Sequence, residues 1–214
     1  MNRYFYWLVV VVGLGLVING GWIHAKAALA QVLLERAWQQ TLDGETEVRP
    51  WRWADTWPVA RLTIPRLDTS LVVLEGSSGR TLAFAPGHTQ GSSQPGEPGT
   101  SIVSGHRDTH FAVLAELREG DEISVERRDG RIIDYEVGML EIADATTSRV
   151  ATSAEEDLLI LVTCWPFNAV TSGSNFRYAA TARPLTTGGS PWCSFLVRFA
   201  RPASTIPIHQ INQQ

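Results

Sequence analysis

Leu158-Leu159-Ile160-Leu161-Val162-Thr163-Cys164-Trp165-Pro166-Phe167 decides how this chain folds. Seven residues without a charge, most of them branched, read as a strand buried on both faces. Pro166 has no amide hydrogen to give a neighbouring strand, so the ladder stops there. The strand therefore delivers one thiol, Cys164, to its own end. A thiol held there is rigidly aimed and half-exposed, which nucleophilic catalysis requires.

Two other segments bear complementary chemistry. Ser104-Gly105-His106-Arg107-Asp108 closes one strand-like run, and Asn175-Phe176-Arg177-Tyr178 opens another. A thiol, an imidazole and a guanidinium are the parts of a cysteine acyl-transfer site. The rest of the chain reads as a β-rich body. The 18 Gly and 11 Pro punctuate short runs at 60–65, 71–74, 101–104, 122–126, 132–137, 158–164 and 177–182. A short helix is predicted over 111–117, and a second helix, with Leu29, Val32, Leu33, Ala37 and Trp38 at helical spacing, over 26–40. Many strands with one or two short helices predict a closed or nearly closed β-barrel. The segment 75–99 reads as one long loop rich in Gly, Ser and Pro.

Residues 4–25 contain no Asp, Glu, Lys or Arg and carry Tyr4, Tyr6, Trp7 and Trp22 near their ends. That is the length and aromatic placement of a membrane-crossing helix. The small-x-small triplets Ala25-Lys26-Ala27 and Ala28-Leu29-Ala30 keep a cleaved signal peptide open as an alternative. The division expected is an anchor over 1–25, a helical stalk and linker over 26–57, a catalytic barrel over 58–185 and a tail of unknown role over 186–214. A net charge of −4 without a basic cluster excludes nucleic acid as the expected partner. Two cysteines make no disulfide framework, and no acidic cluster has calcium spacing, so neither metal nor cofactor is expected.

Several motifs together carry a resemblance. Leu161-Val162-Thr163-Cys164 resembles the Thr-Leu-x-Thr-Cys strand end of sortases, with Ile160 where the first threonine is usual. Ser104-Gly105-His106-Arg107-Asp108-Thr109-His110-Phe111 is similar to the sortase histidine segment, and Phe176-Arg177-Tyr178-Ala179-Ala180-Thr181-Ala182 to the strand bearing their arginine. Leu62-Thr63-Ile64-Pro65 and Pro95-Gly96-Glu97-Pro98-Gly99-Thr100 also fit, so the likeness covers roughly 58–185. The Gly-His-Arg-Asp-Thr-His-Phe and Thr-Cys-Trp-Pro-Phe forms look most like those of proteobacterial sortases. The resemblance implies a sortase-type β-barrel behind an N-terminal transmembrane helix. It implies Cys164 as nucleophile, His106 as acid/base and Arg177 as substrate-positioning cation, with Thr163, His88 and Trp165 as candidate substrate contacts. It implies an exported protein with a C-terminal sorting signal like Leu-Pro-x-Thr-Gly as substrate, an amine or water as acceptor, and a barrel on the periplasmic side of the inner membrane.

The physics of such a pair is independent of the likeness. Cysteine at a reference pKa of about 8.5 and histidine at about 6.5 coexist as thiolate and imidazolium in only about 1% of molecules near pH 7.5. Family members are expected to work through that minority. Alternatives stay open at each position. Cys164 is a small core hydrophobe or a disulfide partner of Cys193 in the bland readings; His110, which is expected to face the barrel from the short helix, and His88, which also reads as a turn residue near the site, compete with His106; Arg183 competes with Arg177. Thr163 also reads as a residue whose hydroxyl meets neighbouring backbone, or as β-packing alone. Asp108 reads as a solvated loop carboxylate or an orienter of Arg107. For the whole chain the rivals are an L,D-transpeptidase-like acyl transferase and a non-catalytic β-domain that binds an exported partner.

Overall fold

The period-2 pattern of the central strand sorts its side chains between two apolar clusters. Leu159 and Leu161 join the larger one, with Leu62, Ile64, Val103 and Ile123. Ile160 and Val162 join a smaller one, with Ile102, Ala145 and Ala179. The larger cluster draws on strands all round the molecule and is the barrel interior. The smaller draws mainly on three adjacent strands and is an outer face.

The computed structural model describes residues 3–151, 156–169, 173–185 and 205–207. Helix α1 spans Arg3–Leu42 and α2 Gly79–Leu82, with short 3-10 turns at Pro65–Leu67 and Ala112–Glu116. The strands are β1 Pro58–Ile64, β2 Thr69–Glu75, β3 Gly87–His88, β4 Thr100–Ser104, β5 Glu122–Arg127, β6 Ile132–Asp144, β7 Arg149–Ala151, β8 Leu158–Cys164, β9 Phe176–Pro184 and β10 Thr205–Pro207. Eight of them close a barrel in the order β1-β2-β3-β4-β8-β9-β6-β5. The mainly β fold, closed barrel and leading helix are as the sequence predicts.

Three differences have physical causes. The long loop 75–99 contains α2, capped by the Ser78 side chain, and the two-residue strand β3, which bridges β2 and β4. Two residues are too few to show a period. Strand β6 runs on to Asp144 because β9 gives it a partner along its length, with a bulge at Val137/Met139. In the histidine segment, Phe111 rather than His110 enters the core: Phe111 is fully buried, while His110 is only partly buried. Phe111 lies so close to Gly105 that a Cβ there would stand 2.6 Å from its ring.

Helix α1 passes unbroken from the apolar segment into the part docked on the barrel. It is the one helix among the described residues long and apolar enough to cross a bilayer. Its later turns bury Leu34 and Trp38. Trp38 Nε1 donates to Glu126 at 3.1 Å, and Arg61 binds Glu35 at 2.7 Å. Beyond the barrel, β10 pairs antiparallel with β7. Cys193 and most of the 186–214 tail lie outside the described residues.

Candidate active site

Strand order brings the three sequence segments together. β8 lies between β4, parallel to it, and β9, antiparallel to it. Cys164 stands opposite Arg177 in the β8–β9 register. Ser104 stands opposite Val162 in the β4–β8 register, the last pair of that ladder. His106 lies two residues past the end of β4, Cys164 ends β8 and Arg177 is near the start of β9, so the three belong to a row of adjacent strand ends, with neighbouring strands about 4.8 Å apart. Alternation places Cys164 with Ile160 and Val162, and Arg177 with Ala179, on the outer face of the barrel.

Each member of the row is held from beneath. The β4–β8 ladder extends one step through Gly105 N donating to the Val162 carbonyl at 3.1 Å. Thr163, fully buried and facing inward, donates its hydroxyl to the Gly105 carbonyl at 2.8 Å. The residue before His106 is thus fixed to the residues before Cys164 by both its amide and its carbonyl. The His106 carbonyl then accepts from Phe111 N at 3.0 Å, which closes the turn. Cys164 is half-buried. The β8–β9 ladder continues past it through Trp165 N to the Phe176 carbonyl, and the Trp165–Pro166 peptide is cis.

Arg177 is buried, and its Nη1 donates to the carbonyls of Ser174 and Phe176 at 2.8 and 3.0 Å. Its Nε is also buried and meets no acceptor among the described residues. An unsatisfied donor of this kind costs about 1–3 kcal/mol.

The other candidates separate clearly. Arg183 pairs with Glu136, six residues from Arg177 along β9 and about 20 Å away. His88, expected as a substrate contact, is buried on β3; Nδ1 faces Glu75 at 3.2 Å and Nε2 faces the Ser93 carbonyl at 3.0 Å. It has no edge left for a peptide. Thr163, also expected as a substrate contact, has no exposed surface. Its hydroxyl holds backbone instead, as alternation along a barrel strand demands. Trp165 keeps an accessible position at the strand end, 6.2 Å from the Tyr178 ring and 5.5 Å from Phe167. His110 sits against the Phe84 carbonyl. Its pKa is lowered by burial first and then by the neighbouring His106.

One contributor was not singled out from sequence. Arg107 is buried and donates to the carbonyls of Pro166 and Ala169, directly downstream of Cys164. Asp108 pairs with its Nε at 3.0 Å while remaining 69% exposed, so both readings of that carboxylate hold at once.

Comparison with known proteins gives the family. A sequence model of the sortase domain matches residues 62–185. Sortase D of Bacillus subtilis (strain 168) is 36% identical over 126 residues, 58% of this chain; the match covers 63% of that relative's length. The fold is similar to sortase C-1 of Actinomyces oris, with a TM-score of 0.52 and 28% identity over 60% of this chain and 75% of that one. A Clostridium perfringens sortase D5 transpeptidase shares the fold at 21% identity, with a TM-score of 0.57 over 74% of this chain and 99% of that one. With a family match across more than half its length, and the barrel to go with it, the chain belongs to the sortase family.

Proposed function

We propose that this chain is a membrane-anchored cysteine transpeptidase, with Cys164 as nucleophile, His106 as acid/base and Arg177 as the substrate-orienting cation. The observation that supports the reading is Cys164 standing opposite Arg177 at the β8–β9 end, with β4, which leads into His106, on the other side of β8. An extended peptide laid across that face presents a carbonyl to the thiol. Cys164 Sγ attacks it, and the Arg177 guanidinium, opposite Cys164 across the β8–β9 ladder, supplies positive charge beside the oxygen as it becomes negative. His106 as a cation protonates the departing amine, which leaves a thioester on Cys164. The neutral imidazole then takes a proton from an incoming amine or water, and the acyl group is transferred.

The substrate in this reading is an exported protein with a C-terminal signal of the Leu-Pro-x-Thr-Gly type, cleaved after its threonine. Trp165, half-buried and next to Cys164, is a candidate contact for that signal. The N-terminal helix acts as an uncleaved single-pass anchor, supported by its unbroken run into the docked turns around Leu34 and Trp38. The barrel then faces the periplasm. Incubation with peptides of this class and an amine should give ping-pong kinetics and a transpeptidation product. Cleavage of the same peptide by Cys164→Ala would refute the mechanism.

A further inference from the structure

Arg107 occupies a position that the chemistry just described does not use. It follows His106 directly and its side chain is buried, 7% exposed. Nη1 donates to the Pro166 carbonyl at 2.8 Å and Nη2 to the Ala169 carbonyl at 3.1 Å. Nε donates to Asp108 at 3.0 Å. The two carbonyls belong to residues two and five places after Cys164. One planar guanidinium therefore grips the segment leaving the nucleophile, while its own backbone carries the imidazole.

The need for such a grip comes from strand direction. β4 and β8 are parallel, and both end just before the residues that must meet. Past Gly105 N to the Val162 carbonyl, the ladder between them stops. Thr163 ties Gly105 on the Cys164 side of the seam. Arg107 ties the two chains again beyond it. Its charge is offset by an adjacent carboxylate, so its principal contribution is geometric. We infer that Arg107 is a positioning residue that sets the separation between the His106 imidazole and Cys164 Sγ by clamping the turn after β4 to the segment after β8. The inference rests on His106 and Cys164 acting as a pair. Lysine cannot take its place, because one ammonium on a flexible stem lacks the fork that reaches two fixed carbonyls together.

The test uses the full-length protein in detergent. The pH dependence of iodoacetamide alkylation is measured at Cys164, with peptide mapping to separate it from Cys193, for wild type, His106→Ala, Arg107→Lys and Asp108→Ala. Steady-state kinetics on a cleaved peptide run alongside. Loss of His106 should displace the alkylation profile. Folded Arg107→Lys should displace it in the same direction, with kcat reduced at least about tenfold and KM within about twofold, since misplacement by about 1 Å costs up to about 10²-fold. Folded Arg107→Lys with the wild-type profile and kcat overturns the inference. Should Arg107→Lys not fold, the exposed Asp108→Ala decides, because it releases one of the three donors without touching the core. A partial displacement supports the clamp, and an unchanged profile overturns it. If His106→Ala itself leaves the profile unmoved, the pairing of His106 with Cys164 fails, and that failure is distinct from a failure of Arg107 alone.

Discussion

Replacing Thr163 by valine removes a single hydroxyl from the seam beneath the proposed nucleophile. The side chain is fully buried, and its hydroxyl donates to the Gly105 carbonyl at 2.8 Å. Valine keeps the shape and turns a methyl toward that carbonyl. A buried acceptor stripped of its donor costs about 1–3 kcal/mol. At about 2–4 °C per kcal/mol for a chain of this size, the melting temperature should fall by about 2–12 °C. The functional loss should exceed the loss of stability, because Gly105 precedes His106. Freed of its carbonyl tether, the turn shifts the imidazole, and kcat/KM should fall about 10- to 100-fold at temperatures where the protein is still folded. Thermal melting followed by circular dichroism, with peptide-cleavage kinetics at 25 °C, reads both quantities. Thr163→Ser keeps the oxygen and should recover most of the activity. Wild-type melting and kcat/KM in Thr163→Val would refute the reasoning.

The remaining predictions address the same seam and its surroundings. Gly105→Ala places a Cβ 2.6 Å from the Phe111 ring, so overpacking should cost about 1–3 kcal/mol and depress activity; an unchanged melting curve would mean that Phe111 yields freely. Arg177→Lys keeps the charge and loses the buried Nε donor, and kcat/KM should fall about 10²- to 10³-fold while iodoacetamide still alkylates Cys164. His110 has a lowered pKa in the fold, through burial first and His106 second. The folded state thus binds fewer protons there than the unfolded chain. The stability it contributes is whole above the ordinary histidine value of about 6.5 and declines as pH falls from there through the lowered value. His110→Gln should flatten the decline in melting temperature between pH 7.5 and 5.5; an equally steep decline would place the proton uptake elsewhere.

The sequence was legible where one periodicity or one residue type settled the matter. Leu158 to Thr163 read as a buried strand because β8 packs on both faces. Pro166 marked its end. The barrel followed from the number of short runs, and α1 from a stretch without Asp, Glu, Lys or Arg. What stayed hidden depends on which strands are neighbours. That Arg177 stands opposite Cys164 is a fact of register between segments 13 residues apart, and no local pattern contains it. β3 has two residues and exists because β2 and β4 flank it. His110 and Phe111 competed for the core, and the larger apolar ring took it, in the space left by the missing Cβ of Gly105. Thr163 precedes the thiol directly, but inward alternation commits its hydroxyl to backbone, and the Glu75–Ser93 pocket commits His88 to the fold. No local pattern singled out Arg107, because the carbonyls it binds lie 59 and 62 residues away along the chain.

The central claim is that Cys164, His106 and Arg177 act together on one peptide carbonyl. Intact-mass and peptide-mapping mass spectrometry, after brief exposure to a Leu-Pro-x-Thr peptide ending in an aldehyde or vinyl sulfone, tests it most directly. The account predicts one adduct, on Cys164, lost in His106→Ala and Arg177→Ala. An adduct that forms equally well in both variants, or forms on Cys193 instead, would contradict it.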